Sequence, residues 1–422
     1  MSLSSNIPNA TDWIVYYPEC IDKEPKGLWF VIDSKDVMYV KKNTVCLTIE
    51  DFGQRNYDVL LNCRGFFESF SKVFVAISVP RCRDEIAAKL SEYFPKLVVL
   101  KTNDEAFKDC DTVREYGEKY GRENIEDIAR NFLEVENPGL LNYSKIKRPE
   151  YLPSILFGIT ELDRATGGYR KTELCVWTGK RSEGKSTLVN NIVLNAVDDG
   201  KRVCIYSGEL SPDRMRDWHY LQAAGQRFVN KRVSKHSGNT YWEVSPENRQ
   251  AIDKWWDGRI YCFDTKRKGI HEEDTIFSLF EYAWYRHGVE IFVLDNLMTV
   301  DIKDDREFYR AQTRFSKRLK GYAEQRDVAI HLIAHPRKTG RAEIEGDDVS
   351  GSGDIINIAD NAFLVSRLPE ENDHDADARI RVLKNREYGR RGDVLLLFEE
   401  SSRRFSDKDR SGFERRYEWE CG

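Results

Sequence analysis

From residue 172 onward, short apolar runs alternate with longer amphipathic ones. "ELCVWTG" predicts a strand, and "KSTLVNNIVLNAVDDG" predicts a helix that Gly200 ends. "KRVCIYS" is the next expected strand, and "SPDRMRDWHYLQAA" a helix with Ser211 at its N-cap and Pro212 at its first position. The strand "GRIYCFD" precedes a helix whose Ile276, Phe280, Ala283 and His287 share one face. "IFVLD", a helix from about Arg310 to Gln325, and the strand "VAIHLIAH" complete the alternation. Strands separated by helices require a parallel sheet covered on both faces. "NAFLVSR", "RIRVLKN" and "DVLLLFE" then follow without helices and predict an antiparallel C-terminal edge. The fold class is α/β.

The front of the chain predicts a smaller α/β domain. Its expected strands are "KGLWFVID", "DVMYVKK", "YDVLLN" and "KVFVAISV", with helices over Arg83 to Tyr93 and Asn124 to Leu133. "ENPGLLNYSKIKRPEYLPS", Glu136 to Ser154, has three prolines and a basic cluster. Each proline pushes the residue before it out of helix, so the segment reads as a linker with a short helix around Leu140 to Ile146. The expected units are therefore 1–135, a linker 136–154, a main domain 155–410 and a tail 411–422.

Composition narrows the partners. Of 422 residues, 40% are hydrophobic and 32% charged, as in an ordinary globular protein. A formal net charge of -5 argues against a uniformly basic nucleic-acid coat, while leaving room for a local basic groove. The nine cysteines form no Cys-x-x-Cys pair, which disfavours a disulfide framework or a zinc ribbon and suits a reduced, cytoplasmic setting. There is no basic-then-apolar leader and no apolar run near the length a bilayer needs, so no membrane role is expected.

"TGKRSEGKST", Thr178 to Thr187, matches G-x-x-x-x-G-K-[ST] in full, between an expected strand and an expected helix. Glycines let backbone N–H groups turn toward phosphates, and the helix N-terminus adds the positive end of its dipole. Gly179, Ser182, Gly184, Lys185, Ser186 and Thr187 are the expected nucleotide contacts. Lys185 would neutralise the β- and γ-phosphates, and the Ser186 hydroxyl would ligate Mg²⁺. Asp295 ends the strand "IFVLD" where a second Mg²⁺-holding carboxylate belongs. Glu209, just past the strand after the loop, is placed to act as base toward water, although a solvated Glu before a helix is the plainer alternative. These residues imply ATP or another NTP, with Mg²⁺, as cofactors.

At this point the residues resemble a family. "FGITELDRATGGYRKTELCVWTGKRSEGKSTL", "YSGELS", "HLIAHPRKTGR", "DVSGSGDIINIADN" and "VLKNREYGRRG" resemble, in order, the motifs of DnaB-type (superfamily 4) replicative helicases. That group includes phage helicase–primases and the mitochondrial helicase Twinkle. The resemblance runs from about Phe157 to Phe405 and implies a RecA-like P-loop ATPase core. It implies that Glu209 is the catalytic base and that His335 senses the γ-phosphate. The basic residues Arg337, Lys338 and Arg341, at the start of the following loop, are the expected DNA contacts, although Glu343, Glu345, Asp347 and Asp348 make its second half acidic.

"VLKNREYGRRG", Val382 to Gly392, carries four basic residues and one acidic one, which alone fits either a solvated turn or a nucleic-acid patch. The resemblance implies that Arg386 is a finger reaching a neighbour's γ-phosphate, with Lys384 beside it. Arg390 and Arg391 keep the solvated-turn reading. The stretch is expected to lie away from the DNA loops.

In the front domain, "KVFVAISVPRCRDEIAAKLSEYF" and "FKDCDTVREYG" resemble parts of a toprim domain. Ser78 and Pro80 stand where its two metal-binding aspartates would be, and Glu50 is offset from the place of its glutamate. A hydroxyl and a proline do not replace two carboxylates around Mg²⁺. The expectation is a toprim-like fold without primase activity.

Together these features imply an NTP-driven ring, a hexamer by analogy, that translocates 5′-to-3′ on single-stranded DNA and opens forked DNA. A separate primase, polymerase or loader would be its partner. The same opening motif also fits a RadA/KaiC-like ATPase that acts as a recombination mediator or regulatory ring without processive unwinding.

Overall fold

In the computed structural model of the chain, the described residues are 14–17, 27–40, 42–47, 59–147, 154–302, 308–335, 353–371, 375–408 and 415–420. Backbone contacts divide the chain into two units, Met1–Pro149 and Glu150–Gly422. Among the described residues no helix is long and apolar enough to cross a membrane.

The first unit contains strands β1 (Ile14–Tyr17), β2 (Gly27–Val31), β3 (Thr44–Leu47), β4 (Lys72–Val75), β5 (Val98–Thr102) and β6 (Phe132–Glu134). Its helices are α1 (Val37–Val40), α2 (Val59–Asn62), α3 (Arg64–Phe67), α4 (Pro80–Tyr93), α5 (Val113–Tyr120) and α6 (Glu126–Arg130). The sheet order is β1-β3-β2-β4-β5-β6, parallel at its centre and antiparallel at both edges. Leu28, Phe30, Val73 and Val75 bury one face with Ile86 and Leu90 of α4.

Two expected strands of this unit are helical. The Asp33 carboxylate accepts from the Lys35 amide, which turns the chain after β2 and starts a helical segment through "VMYV". "VLLN" forms α2, an apolar run too short for its period to decide between helix and strand. The helix expected to reach Leu133 stops at Arg130, and Phe132–Glu134 pairs with β5 instead. Pro80 opens α4, and the Ser78 hydroxyl donates to the Asp111 carbonyl at 2.5 Å, so neither position offers a carboxylate. Glu50 lies outside the described residues. Before the division at Pro149, a 3-10 turn, Tyr143–Lys145, stands where a short helix was expected, with Leu140, Leu141 and Tyr143 all exposed.

The second unit contains β7 (Leu174–Thr178), β8 (Val203–Ser207), β9 (Val229–Val233), β10 (Thr240–Val244), β11 (Ile260–Cys262), β12 (Ile291–Asp295), β13 (Ala329–Ile333), β14 (Asn361–Arg367), β15 (Ala378–Asn385), β16 (Gly392–Glu399) and β17 (Arg404–Asp407). Its helices are α7 (Thr160–Thr166), α8 (Lys185–Asp198), α9 (Pro212–Ala224), α10 (Pro246–Trp256), α11 (Glu273–His287), α12 (Phe308–Arg326) and α13 (Gly353–Ile358). Nine strands form one sheet, ordered β11-β8-β12-β13-β7-β14-β15-β16-β17. From β11 to β14 the pairing is parallel; from β14 to β17 it is antiparallel, the expected closing edge.

Helices bury both faces of this sheet. Leu188, Ile192 and Val193 of α8 pack on one side, and Ile276, Phe280, Phe315 and Leu319 of α11 and α12 on the other. His287, at the end of the expected apolar face of α11, stacks on Tyr261 at 4.3 Å between ring centroids, and Tyr261 packs against the same core. His331, inside β13, is a core residue: the Trp177 indole N–H donates to its Nδ1 at 3.1 Å, and burial pushes its pKa down to about 3.

The hairpin β9–β10 is not among the expected strands; charged and polar residues interrupt its short β-forming run "TYWEV" and its partner "VNKRV". Residues 415–420, within the segment expected as a tail, pack onto the core. Tyr417 is buried, stacks on Trp255 at 5.1 Å and donates to Asn195 Oδ1 at 2.9 Å. Arg415 pairs with Asp198 and Asp199.

Candidate active site

Sheet register builds the site. Along β8, β12, β13 and β7, Ser207 lies beside Asp295, Asp295 beside Ile333, and Ile333 beside Trp177. The residues that follow these four strand ends therefore emerge along one edge. They are Glu209, Asn296, His335 and the loop from Gly179 to Gly184. Parallel strands present ligands at this edge.

The loop turns on two glycines. Gly179 has φ +145, and a Cβ there would meet the Val365 carbonyl oxygen at 2.1 Å. Gly184 has φ +90, and its Cβ would touch the Phe405 ring at 3.1 Å. Gly179→Ala is expected to destabilise the protein by roughly 3 kcal/mol, from left-handed strain plus overpacking against rigid backbone. Thermal unfolding checks this, and nucleotide binding should be lost with it.

Lys185 opens α8, is 4% exposed, and donates to the Gly179 and Lys180 carbonyls at 2.9 and 2.7 Å. Burial pushes its pKa down to about 8, against the opposing pull of Asp295 and Glu209. Asp295 is buried and pushed up to about 6 by desolvation, although the Ser186 hydroxyl donates to it and Lys185 attracts its charge. Its Oδ1 has no hydrogen-bond partner among the described residues. Ser182 has φ +62 at the exposed tip, and Thr187 sits in the first turn of α8, its carbonyl accepting from Gln222 at 2.8 Å. Glu183 accepts from the Arg367 amide and ties the loop to β14.

Glu209 and His335 meet at this edge. His335 lies two residues beyond the end of β13, not at its last position, with Nε2 3.5 Å from Glu209 Oε1. Burial and the Lys185 charge hold its pKa below the ordinary value. Asn296 joins them, its Nδ2 donating to Glu209 and standing 3.1 Å from His335 Nε2. This residue was not anticipated. Its only sequence signal is a capping-type amide directly after the strand-end Asp295.

Lys384 and Arg386 are engaged elsewhere. Lys384 donates to the Ile356 and Asn357 carbonyls at 3.0 and 2.7 Å, at the end of α13. Arg386 bonds Asp360 Oδ1 at 3.0 Å and reaches the Asn357 carbonyl. Asp360 is buried and also holds Lys320 at 2.7 Å. Lys384 and Arg386 thus touch the helix that directly follows residues 336–352, while the expected separation from the DNA loops concerns residues outside the described ones. Arg390 is not simply solvated, since it donates to the Arg164 carbonyl at 2.9 Å. Arg391 is exposed. Arg337, Lys338 and Arg341 lie outside the described residues.

Residues 154–407 match the family model of the DnaB-like helicase C terminal domain. The chain is 22% identical over 412 residues to a chloroplastic/mitochondrial Twinkle homolog protein of Arabidopsis thaliana, covering 91% of this chain and 55% of the relative. It thus spans little more than half of that protein. It is 24% identical over 361 residues to the replicative DNA helicase DnaB of Mycoplasma pneumoniae, covering 76% of this chain and 70% of that one. Two solved structures share its fold. One, a separately solved ATPase domain, has a TM-score of 0.51 at 19% identity, over 61% of this chain and 92% of its own. The other, a DnaB-like replicative helicase described with its interactions with primase, has a TM-score of 0.52 at 18% identity, over 70% of this chain and 73% of its own. The second unit has the RecA-like helicase ATPase fold.

Proposed function

The chain belongs to the DnaB-like helicase family through residues 154–407, and from that premise we propose that it is an NTP-driven replicative DNA helicase without primase activity of its own. The observation that carries this reading is the single sheet edge where Lys185, Ser186, Asp295, Glu209 and His335 come together.

In this reading the loop amides and Lys185 bind the nucleotide phosphates. The residues suit Mg²⁺: Asp295 Oδ1 is a buried acceptor without a partner among the described residues, and the Ser186 hydroxyl is a second hard oxygen beside it. When bound, Mg²⁺ would neutralise phosphate charge there. Glu209 orients and deprotonates the attacking water, and His335 reads the γ-phosphate. Arg386, with Lys384, completes a neighbouring subunit's site in a ring, proposed to be hexameric. Exposed Leu140, Leu141 and Tyr143 support packing of that segment on the adjacent protomer. Arg337, Lys338 and Arg341 would grip single-stranded DNA, and α13 would carry its presence to the finger.

The seven cysteines described are all free thiols, which supports a reducing compartment, the cytoplasm of a bacterial or phage-infected cell before the mitochondrial matrix. A separate primase, polymerase or loader is the proposed partner. The toprim-like reading of the first unit remains part of this proposal.

The test is NTP hydrolysis with and without single-stranded DNA, alongside strand displacement from a forked duplex. Stimulated hydrolysis with 5′-to-3′ unwinding is expected; strong stimulation with no unwinding on any fork would favour a mediator ATPase instead. The Lys185 shift gives a second expected result. Around pH 8 the free site has partly lost the Lys185 proton, and a phosphate raises its affinity for that proton. Lys185 should therefore contribute proton uptake on nucleotide binding at pH 8.5 and almost none at pH 6.5, so net uptake should rise with pH between the two. Calorimetry in two buffers of different ionisation enthalpy reads this directly.

A further inference from the structure

Asn296 has no part in the roles assigned above, yet its side chain is fully buried and its polar atoms are all committed. Its Oδ1 accepts from the Met298 amide at 2.9 Å, capping the 3-10 turn Leu297–Thr299. That bond fixes which way the amide faces. Nδ2 then has two hydrogens, one for Glu209 Oε1 and one for His335 Nε2 at 3.1 Å. Accepting from an amide requires a lone pair on Nε2, so the imidazole is neutral with its proton on Nδ1. His335 and Glu209 are themselves 3.5 Å apart, too far for a good direct bond. Asn296 is the bridge between them.

We infer that Asn296 is a positioning residue that holds the Glu209 carboxylate and the neutral His335 ring as one hydrogen-bonded unit. The inference rests on the reading of Glu209 as base and His335 as sensor. Donation to Oε1 leaves Oε2 free to accept the proton of an attacking water. Turning His335 toward a γ-phosphate releases one amide hydrogen, and the Asn296 side chain carries that change to Glu209.

Asn296→Asp separates this role from the cap. Aspartate caps the 3-10 turn equally well, but presents an acceptor where the amide donated, directly against Glu209. Turnover is expected to fall about 100-fold while nucleotide Kd stays within about threefold. The thermal midpoint should also fall. Adding Glu209→Gln supplies an amide that donates back to the new carboxylate, so the midpoint should recover although turnover does not. Turnover of Asn296→Asp within about threefold of wild type would overturn the inference. So would a double variant no more stable than Asn296→Asp. If Glu209→Gln alone hydrolyses at the wild-type rate, the base assignment falls, and recovery of the midpoint in the double variant still establishes the bridge.

Discussion

Arg386→Ala is expected to lower NTP turnover by about three to five orders of magnitude, the contribution of a finger supplied to a transferring phosphoryl group. Nucleotide and single-stranded DNA binding should largely survive, because the residue lies outside the phosphate loop. The fold should survive too. Asp360 loses one cation but keeps Lys320 and still accepts from the Leu174 amide at 2.9 Å. The decisive measurement mixes Arg386→Ala subunits with Lys185→Ala subunits. Each has one intact half of a shared site, so mixed rings should regain part of the hydrolysis that neither shows alone. If DNA affinity collapses while basal hydrolysis continues, the stretch is a nucleic-acid patch. If mixing restores nothing, the finger does not act between subunits.

Lys185→Ala should remove hydrolysis by a different route. The wild-type ammonium is buried and donates to two carbonyls of its own loop, so its removal leaves both without their donor and takes away the charge that meets the phosphates. We expect turnover to fall by roughly 1000-fold, the upper part of the range for deleting one preorganised charge-stabilising donor. Unlike Arg386→Ala, this variant should also bind nucleotide poorly, which equilibrium titration with a fluorescent analogue distinguishes. Wild-type nucleotide affinity in Lys185→Ala would show that the loop amides alone suffice.

Much of the ATPase unit is legible in the sequence because its motifs sit where the hydrophobic period changes from 2 to 3.6. Gly179 and Asp295 mark strand ends, Lys185 opens the helix after the first of them, and parallel pairing brings such ends to one edge. What the pattern leaves out is side-chain direction. Nothing in "VLDNLM" says that the amide of Asn296 turns inward to two partners while its carbonyl caps a turn. Nor does spacing place Lys384 on the last carbonyls of α13, a contact made across 28 residues. In the first unit the loss is of another kind. "VMYV" and "VLLN" hold only four and three consecutive apolar residues, with no room for a period, and local capping by Asp33 decides the first of them.

The contact of Phe405 with Gly184 has a consequence for the order in which the protein is made. The phosphate loop is synthesised well before the ring that stands beside it. The Phe405 amide is fixed to Asn191 of α8 by a bond spanning 214 residues, at 2.9 Å. Asp407, two residues on, receives the Thr160 and Glu161 amides that begin α7. A nascent chain still on the ribosome therefore has the full nucleotide motif without the strand that braces it. It should gain its affinity for nucleotide only when β17 emerges.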